Sequence, residues 1–330
     1  MSSVDTQLHA ALLHVLHGVE YDVLRARVTA MSARYRAEQV DDTTPGMGDD
    51  LDCLAYAVVR MPATYRAIQS ALRAAQRHVG AFATHLDLGG GTGSAAWAAA
   101  SLWPDIATEI VERQPAAIRL GRRLTVATGN QTTAYADQAR TGVDPAWTSA
   151  DLRRWTPSRQ VDLITIAYVL NELTDDARHE VIATAAASAT TLVIVEPGTP
   201  RGHRRILDAR NQLIESGMAI AAPCPHQSAC PLVHNDWCHF AVRLPRTELH
   251  RLLKDGIRNY EDEKFSYLIA TREPAQPAGS RIITRPTHAK GRVVLDLCTT
   301  AATRERTVVP KSSPNHRTAR SATWGDAWDV

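Results

Sequence analysis

Two groups of residues in this chain have types and spacings suited to chemistry. The first is Asp87-x-Gly89-x-Gly91-x-Gly93, with Glu112 following 21 residues after Gly91. Glycines allow positive φ in a tight turn and let a nucleotide-like ligand lie directly on the backbone. A carboxylate in the place of Glu112 can accept hydrogen bonds from ribose hydroxyls. The second group is Cys224-Pro225-His226, Cys230-Pro231 and Trp237-Cys238-His239, with Cys298 further on. Thiolates are metal ligands, and three crowded into so short a stretch suggest ligation.

For the glycine loop two ligands compete. Gly91-x-Gly93-x-x-Ala96 satisfies the looser dinucleotide fingerprint, which leaves NAD(P) open. Asp87, two residues before the first glycine, instead resembles the acid-x-Gly-x-Gly-x-Gly loop of S-adenosylmethionine-dependent methyltransferases. A phosphate-binding NTPase loop is excluded, because it needs Gly-Lys-Ser/Thr and no lysine precedes Lys254. Asp151 is a candidate partner for the adenine amino group, or an ordinary solvated acid before Arg153 and Arg154. Asn171 and Glu172 stand where α/β enzymes place substrate and could orient or deprotonate a methyl acceptor; they would equally serve a helix start. Glu196-Pro197-Gly198 adds another acid and a turn over the same edge.

The cysteine spacings match neither the paired Cys-x-x-Cys of a zinc ribbon nor the Cys-x-x-x-Cys-x-x-Cys of radical enzymes. Cysteine followed by proline fits an iron–sulfur loop, with Cys298 as a fourth thiolate. Zinc held by three cysteines and one of His226, His234 or His239 competes with it, as do three reduced thiols without metal. Cys53 reads as a core residue.

The elements that must carry these groups alternate. Residues 1–80 read as a helical region, interrupted by a turn-rich loop at Asp41–Asp50. Strands are expected at His85–Leu88, Ala107–Val111, Leu163–Ala167 and Thr191–Val195. Helices are expected at Ser94–Leu102, Pro115–Leu124, Asp175–Ala187 and Gly202–Ser216. This alternation predicts an α/β fold with a parallel sheet covered by helices on both faces. After the Cys-rich insertion, residues 218–240, a strand Phe240–Leu244, a helix Arg246–Lys254 and a strand Phe265–Thr271 complete a domain over residues 81–275. Pro274, Pro277 and Gly279 lead into a β-rich extension, residues 276–330, with strands at Ile282-Ile283 and Val293–Leu297.

The whole chain is almost neutral, at 37 Lys/Arg against 35 Asp/Glu, but residues 276–330 hold nine Lys/Arg against four Asp/Glu. That basic extension is the expected polyanion contact, with Arg281, Arg285, Lys290 and Arg292 as candidate phosphate ligands. No apolar run approaches a membrane span, and no basic stretch opens the chain. With arginine far outnumbering lysine, the expected location is the bacterial cytoplasm.

Taken together these residues resemble the methyltransferase-like family of mitochondrial small-ribosomal-subunit assembly factors and their bacterial relatives. The likeness runs from Arg60-Met61-Pro62-Ala63-Thr64-Tyr65 through Leu86-Asp87-Leu88-Gly89-Gly90-Gly91-Thr92-Gly93, Val169-Leu170-Asn171-Glu172-Leu173 and Val195-Glu196-Pro197-Gly198. It continues through the cysteine motifs and Tyr260-Glu261-Asp262-Glu263-Lys264-Phe265 to Leu297-Cys298-Thr299 and Trp324-Gly325-Asp326. The resemblance implies a Rossmann-like class I methyltransferase sheet with bound S-adenosylmethionine at the glycine loop. It also implies a [4Fe–4S] cluster on Cys224, Cys230, Cys238 and Cys298, and the small ribosomal subunit or its rRNA, rather than DNA or a membrane, as partner. An rRNA methyltransferase is the expected activity, a non-catalytic assembly factor holding the same ligands the alternative, and an NAD-dependent oxidoreductase with a zinc loop a third.

Overall fold

The structure is a computed structural model that describes residues 3–36, 47–129, 143–232, 236–246, 250, 251, 253 and 258–329. Four helices come first: α1 (Ser3–Val15), α2 (Tyr21–Arg36), α3 (Asp50–Val59) and α4 (Met61–His78). Asp49 caps α3 by accepting the Asp52 N–H at 2.7 Å. In α4 the residues Met61, Tyr65, Ile68, Leu72 and Ala75 recur at helical spacing and are buried, which presses the helix against the sheet domain.

The sheet is built from β1 (Thr84–Leu88), β2 (Ala107–Glu112), β3 (Ala146–Ser149), β4 (Val161–Ala167), β5 (Ala189–Pro197), β6 (Ala219–Ala222), β7 (Phe240–Pro245) and β8 (Tyr260–Thr271). Between them run α5 (Ser94–Ala100), α6 (Pro115–Gly129), α7 (Asp175–Ser188) and α8 (Pro200–Glu215). The order is β3-β2-β1-β4-β5-β8-β6, with β7 also on β8. Strands β1 to β5 are parallel, as expected. The rest of the sheet departs from that expectation, since β8 runs antiparallel to β5, β6 and β7. Phe240 to Pro245 lie opposite Phe265 to Tyr260, so the chain returns beside itself rather than crossing over to a parallel position. A strand as short as Ala219–Ala222 carries no recognisable pattern of its own. The expected loop Asp41–Asp50, up to residue 46, and most of the expected helix Arg246–Lys254 lie outside the described residues.

Helices α1 to α6 share one hydrophobic core with one face of the sheet; α7 and α8 cover the other. The C-terminal residues form a second sheet of β9 (Ser280–Ile282), β10 (Thr287–Ala289), β11 (Arg292–Thr299) and β12 (Arg304–Pro310), followed by α9 (His316–Ser321). It has its own core of Ile282, Val293, Leu295, Leu297, Val309, Ala319 and Trp328.

Candidate functional site

At the carboxyl end of β1 the chain turns through Gly89 (φ +69°), Gly91 (φ +57°) and Gly93 (φ +93°) before entering α5. These φ values lie where side-chain-bearing residues are strained, which explains the glycine spacing. Gly90 serves a different purpose: a Cβ there would stand 2.5 Å from Asp87 Oδ2 and from Ile110 Cγ2. The Gly91 N–H donates to Glu112 Oε2 at 2.9 Å, and the Gln114 N–H donates to Oε1 at 2.8 Å. Glu112 therefore holds the loop as well as facing the cleft.

Asp87 is buried. Its Oδ1 accepts from the Thr165 hydroxyl at 2.8 Å, and its Oδ2 has no partner among the described residues. Burial pushes this carboxyl up to about 7, with Thr165 opposing the shift and the nearby Glu112 adding to it. Behind it lies His85, wholly enclosed and held down to about 3 by desolvation. Because Thr165 spends its proton on Asp87, the His85 Nε2–H donates to the Thr165 oxygen at 2.9 Å.

A cleft of about 690 Å³ opens above these groups, lined by Asp87, Gly89, Gly91, Glu112, Asp151, Asn171 and Glu172 among others. Gly93 is not on its wall but turns the chain into α5 beneath Ile110 and Trp147. Asp151 takes a two-pronged bond from Arg153, which holds its carboxyl down to about 2. It stays ionised at the mouth. Asn171 and Glu172 belong to a short 3-10 turn, Leu170–Glu172, and Asn171 Oδ1 is buried without a partner among the described residues. The helix-start role falls to Thr174, whose hydroxyl accepts the Ala177 N–H and caps α7.

Sequence reasoning missed the polar group opposite the glycine loop. Arg60 NH1 and NH2 donate to the Glu263 carboxylate at 3.3 and 3.1 Å, and the Tyr168 hydroxyl donates to the same carboxylate at 3.2 Å. Arg60 and Tyr168 both line the cleft. Burial, with Glu263 nearby, raises Tyr168 well above the ordinary phenol range, so it keeps its proton. Tyr168 sits at φ +59°, an unusual conformation for a bulky residue at the end of β4. Glu196 is buried and paired with Arg205 at 2.6 Å while accepting the Leu170 N–H. It braces the turn that presents Asn171.

The second group converges too. Cys224, Cys230, Cys238 and Cys298 line one small cavity of about 30 Å³ together with His226, Leu232, Ile283, Arg210 and Arg281. Among the described residues no three His, Cys, Asp or Glu side chains are drawn together as a metal-holding group. The thiols instead share a cavity wall, with Cys298 Sγ 3.4 Å from His226 Nε2. Burial raises all four, Cys298 to about 12. His239 stacks on Trp237 away from that wall, and His234 lies outside the described residues. Cys53 is enclosed in the helical core.

One basic residue is corrected. Arg281 is not an exposed phosphate ligand: it is 2% exposed and bonded to Pro223 O, Gly325 O and His78 Nε2, because β9 lies between β11 and the C-terminal residues, where Arg281 bridges Ala327. Arg285, Lys290 and Arg292 are exposed.

The family model described as "Mitochondrial small ribosomal subunit Rsm22" matches residues 50–329. The chain belongs to this family. Among Rsm22-family relatives, the human "Ribosome assembly protein METTL17, mitochondrial" is 28% identical over 297 residues, covering 84% of this chain and 62% of its own length. The fission yeast (Schizosaccharomyces pombe) "Rsm22-cox11 tandem protein 2, mitochondrial" is 24% identical, covering 96% of this chain and 47% of its own length. The chain thus spans less than two thirds of either. Solved structures similar to it include an O-methyltransferase family protein from Burkholderia thailandensis (14% identity, TM-score 0.43, 75% of this chain and 69% of that one). Another is a putative RNA methyltransferase, PH1948, from Pyrococcus horikoshii (14% identity, TM-score 0.39, 62% of this chain and 81% of that one).

The family resemblance is borne out. The expected bacterial cytoplasmic location is corrected, since the family and both relatives are mitochondrial by description. That expectation rested on arginine usage and on the first few residues, neither of which reports a compartment. No helix among the described residues is long and apolar enough to cross a membrane.

Proposed function

We propose that this Rsm22-family chain binds S-adenosylmethionine in the cleft above the glycine loop and acts on the rRNA of an assembling small ribosomal subunit. One observation carries the reading: two buried acceptors without partners among the described residues, Asp87 Oδ2 and Asn171 Oδ1, belong to residues that line one cleft together with the backbone of Gly89, Gly90 and Gly91. Unsatisfied buried acceptors are costly in an empty site and useful in one that receives donors.

S-adenosylmethionine supplies an electrophilic methyl group on a cationic sulfonium. Asp87 offers its unpaired oxygen to an ammonium or to a donor bound to one. Glu112, anchored by Gly91 and Gln114, has lone pairs left for ribose hydroxyls, and the ionised Asp151 can accept from an adenine amino group. Asn171 Oδ1 is the acceptor suited to orient an amino group entering the cleft, with Glu172 beside it. In-line methyl transfer needs such positioning more than an activated group. Arg285, Lys290 and Arg292 would meet phosphates from the exposed side of the extension.

The same reading gives the four thiols a [4Fe–4S] cluster, supported by their shared cavity and by its apolar lining of Leu232 and Ile283. A cluster there would join the insertion, residues 218–240, to the extension.

A second reading is an assembly factor that holds the cofactor without transferring its methyl; Tyr168, on the cleft wall, supplies no base to an acceptor that must lose a proton. Its hydroxyl is committed to Glu263 and held protonated, so it is no base. Transfer of labelled methyl to small-subunit particles, naked rRNA and ribosomal protein, using anaerobically prepared protein, decides between them. Label in rRNA supports the enzyme; no label despite measured cofactor binding supports the assembly factor.

A further inference from the structure

The thiol cavity is walled by two arginines that no function so far uses. Arg210 and Arg281 are 1% and 2% exposed, and only Trp97 is larger among the fully enclosed side chains of the described residues. Arg210 interrupts the apolar stripe of α8, between Ile206 and Leu213, where the helix faces the core. One of its terminal nitrogens donates to His226 O at 3.0 Å and Ser228 O at 2.7 Å, while Nε has no partner among the described residues. Arg281 stands on β9 directly across from Cys298 on β11. It donates to Pro223 O, Gly325 O and His78 Nε2 at 2.9, 3.0 and 3.1 Å. His78 is a neutral acceptor there, since its Nδ1–H is used on Gln276 O. Among the described residues neither guanidinium meets a carboxylate.

Burying one unpaired cation is unfavourable, and a chain that keeps two around a single cavity calls for an anion inside it. The cavity's other walls offer that anion only through its four sulfurs. Four thiolates around a doubly positive zinc ion or iron–sulfur core leave two negative charges, and two guanidiniums are present to meet them.

We infer that Arg210 and Arg281 are the counter-charges of a net-negative, thiolate-ligated metal group held by Cys224, Cys230, Cys238 and Cys298. The inference rests on the metal reading of these cysteines given above. It assigns the two arginines a role in setting the charge that the site tolerates, besides fastening its loops.

The test uses the full-length metal-free protein and Co²⁺ as a probe, read through its thiolate charge-transfer absorption. Arg210→Gln should weaken Co²⁺ binding by about tenfold or more, the usual cost of losing a supporting partner of a metal site. Arg210→Lys, which keeps the charge, should recover most of that loss. Melting each metal-free variant beside the parent separates the loss of the bonds to His226 O and Ser228 O from the loss of counter-charge, which is read from Co²⁺ binding alone. The Arg281→Gln and Arg281→Lys pair repeats the binding comparison from the opposite wall, should one Arg210 variant fail to fold. Equal Co²⁺ affinity for the Gln variants and the parent overturns the counter-charge role, as does equal weakness of the Gln and Lys variants. A parent protein that shows no cobalt–thiolate absorption overturns the metal reading itself, and the inference with it.

Discussion

The Gly91 N–H reaches Glu112 Oε2 at 2.9 Å, so the acid that ends β2 also fastens the loop that follows β1. Its other oxygen takes the Gln114 N–H, so two backbone donors from two segments are satisfied by one carboxylate. Glu112→Gln leaves a single oxygen for both donors and turns an N–H₂ toward one of them. Stability should fall by about 1–2 kcal/mol, the cost of one unmet buried donor. S-adenosylmethionine affinity measured by calorimetry should fall with it, by about tenfold or more, since a bond to a charged acceptor is worth about 1.5–3 kcal/mol.

Asp87 makes cofactor binding depend on pH. Burial raises its folded value to about 7, above that of the unfolded chain, so ionisation works against folding and for binding a cation. In the metal-free, ligand-free protein the stability contributed by Asp87, read as parent minus Asp87→Asn, should therefore fall as pH rises from about 4 through 7. Affinity for S-adenosylmethionine should rise across the upper part of the same window. Asp87→Asn should flatten the binding profile and leave a stability profile that rises more, or falls less, with pH than the parent's; thermal melts and binding titrations from pH 5 to about 8.5 check this. His85, held at about 3 in the fold, stays neutral there but takes up a proton in the unfolded chain below about 6.5, so it adds stability as pH rises to that point and opposes the Asp87 slope; the difference between parent and Asp87→Asn isolates the carboxyl.

Arg60 and Glu263 come from the helical region and from β8, and their bond ties α4 to the sheet beside the cleft. Arg60→Gln leaves a mostly buried carboxylate with only Tyr168 as donor, at a cost of about 3 kcal/mol. The added Glu263→Gln should return part of that loss, and a double-mutant cycle by chemical denaturation measures the coupling. Additive effects would show that the pair does not hold the two regions together.

Replacing Arg285, Lys290 and Arg292 together by Gln should lower the salt slope of rRNA binding by about 2–3, near 0.7–0.9 for each phosphate no longer neutralised. Arg281→Gln should change the melting temperature and leave that slope unchanged, because its guanidinium is enclosed. Filter binding at several salt concentrations separates the two effects.

The contrast between those arginines shows where reading a sequence stops. The glycine loop, β1, α5 and Glu112 are legible because spacing of a few residues and a single strand–turn–helix unit fix them locally. A charge census of the extension counts Arg281 with its neighbours, and only the pairing of β9 with β11 and the turn at Gly325 reveals that it is covered. The antiparallel half of the sheet is similarly hidden, because β8 must find β5 across more than 60 residues. Its charged first half, Tyr260–Lys264, carries no hydrophobic run. Arg60 and Glu263, separated by 203 positions, leave no spacing to detect. Arg210 is the clue within reach of a sequence: a lone charge inside the apolar stripe of α8.

The position of β8 has a consequence for biosynthesis. The parallel strands are complete once Pro197 has left the ribosome, yet the free edge of β5 is covered only by residues 265–271. During the intervening synthesis, roughly 4 to 15 seconds at common elongation rates, a nascent chain presents an apolar, unpaired strand edge. β6 and β7 have been made by then but have no strand to join, because both enter the sheet through β8. The newborn protein is therefore open to wrong partners along the strand that carries Glu196, and a holding chaperone would act in that interval.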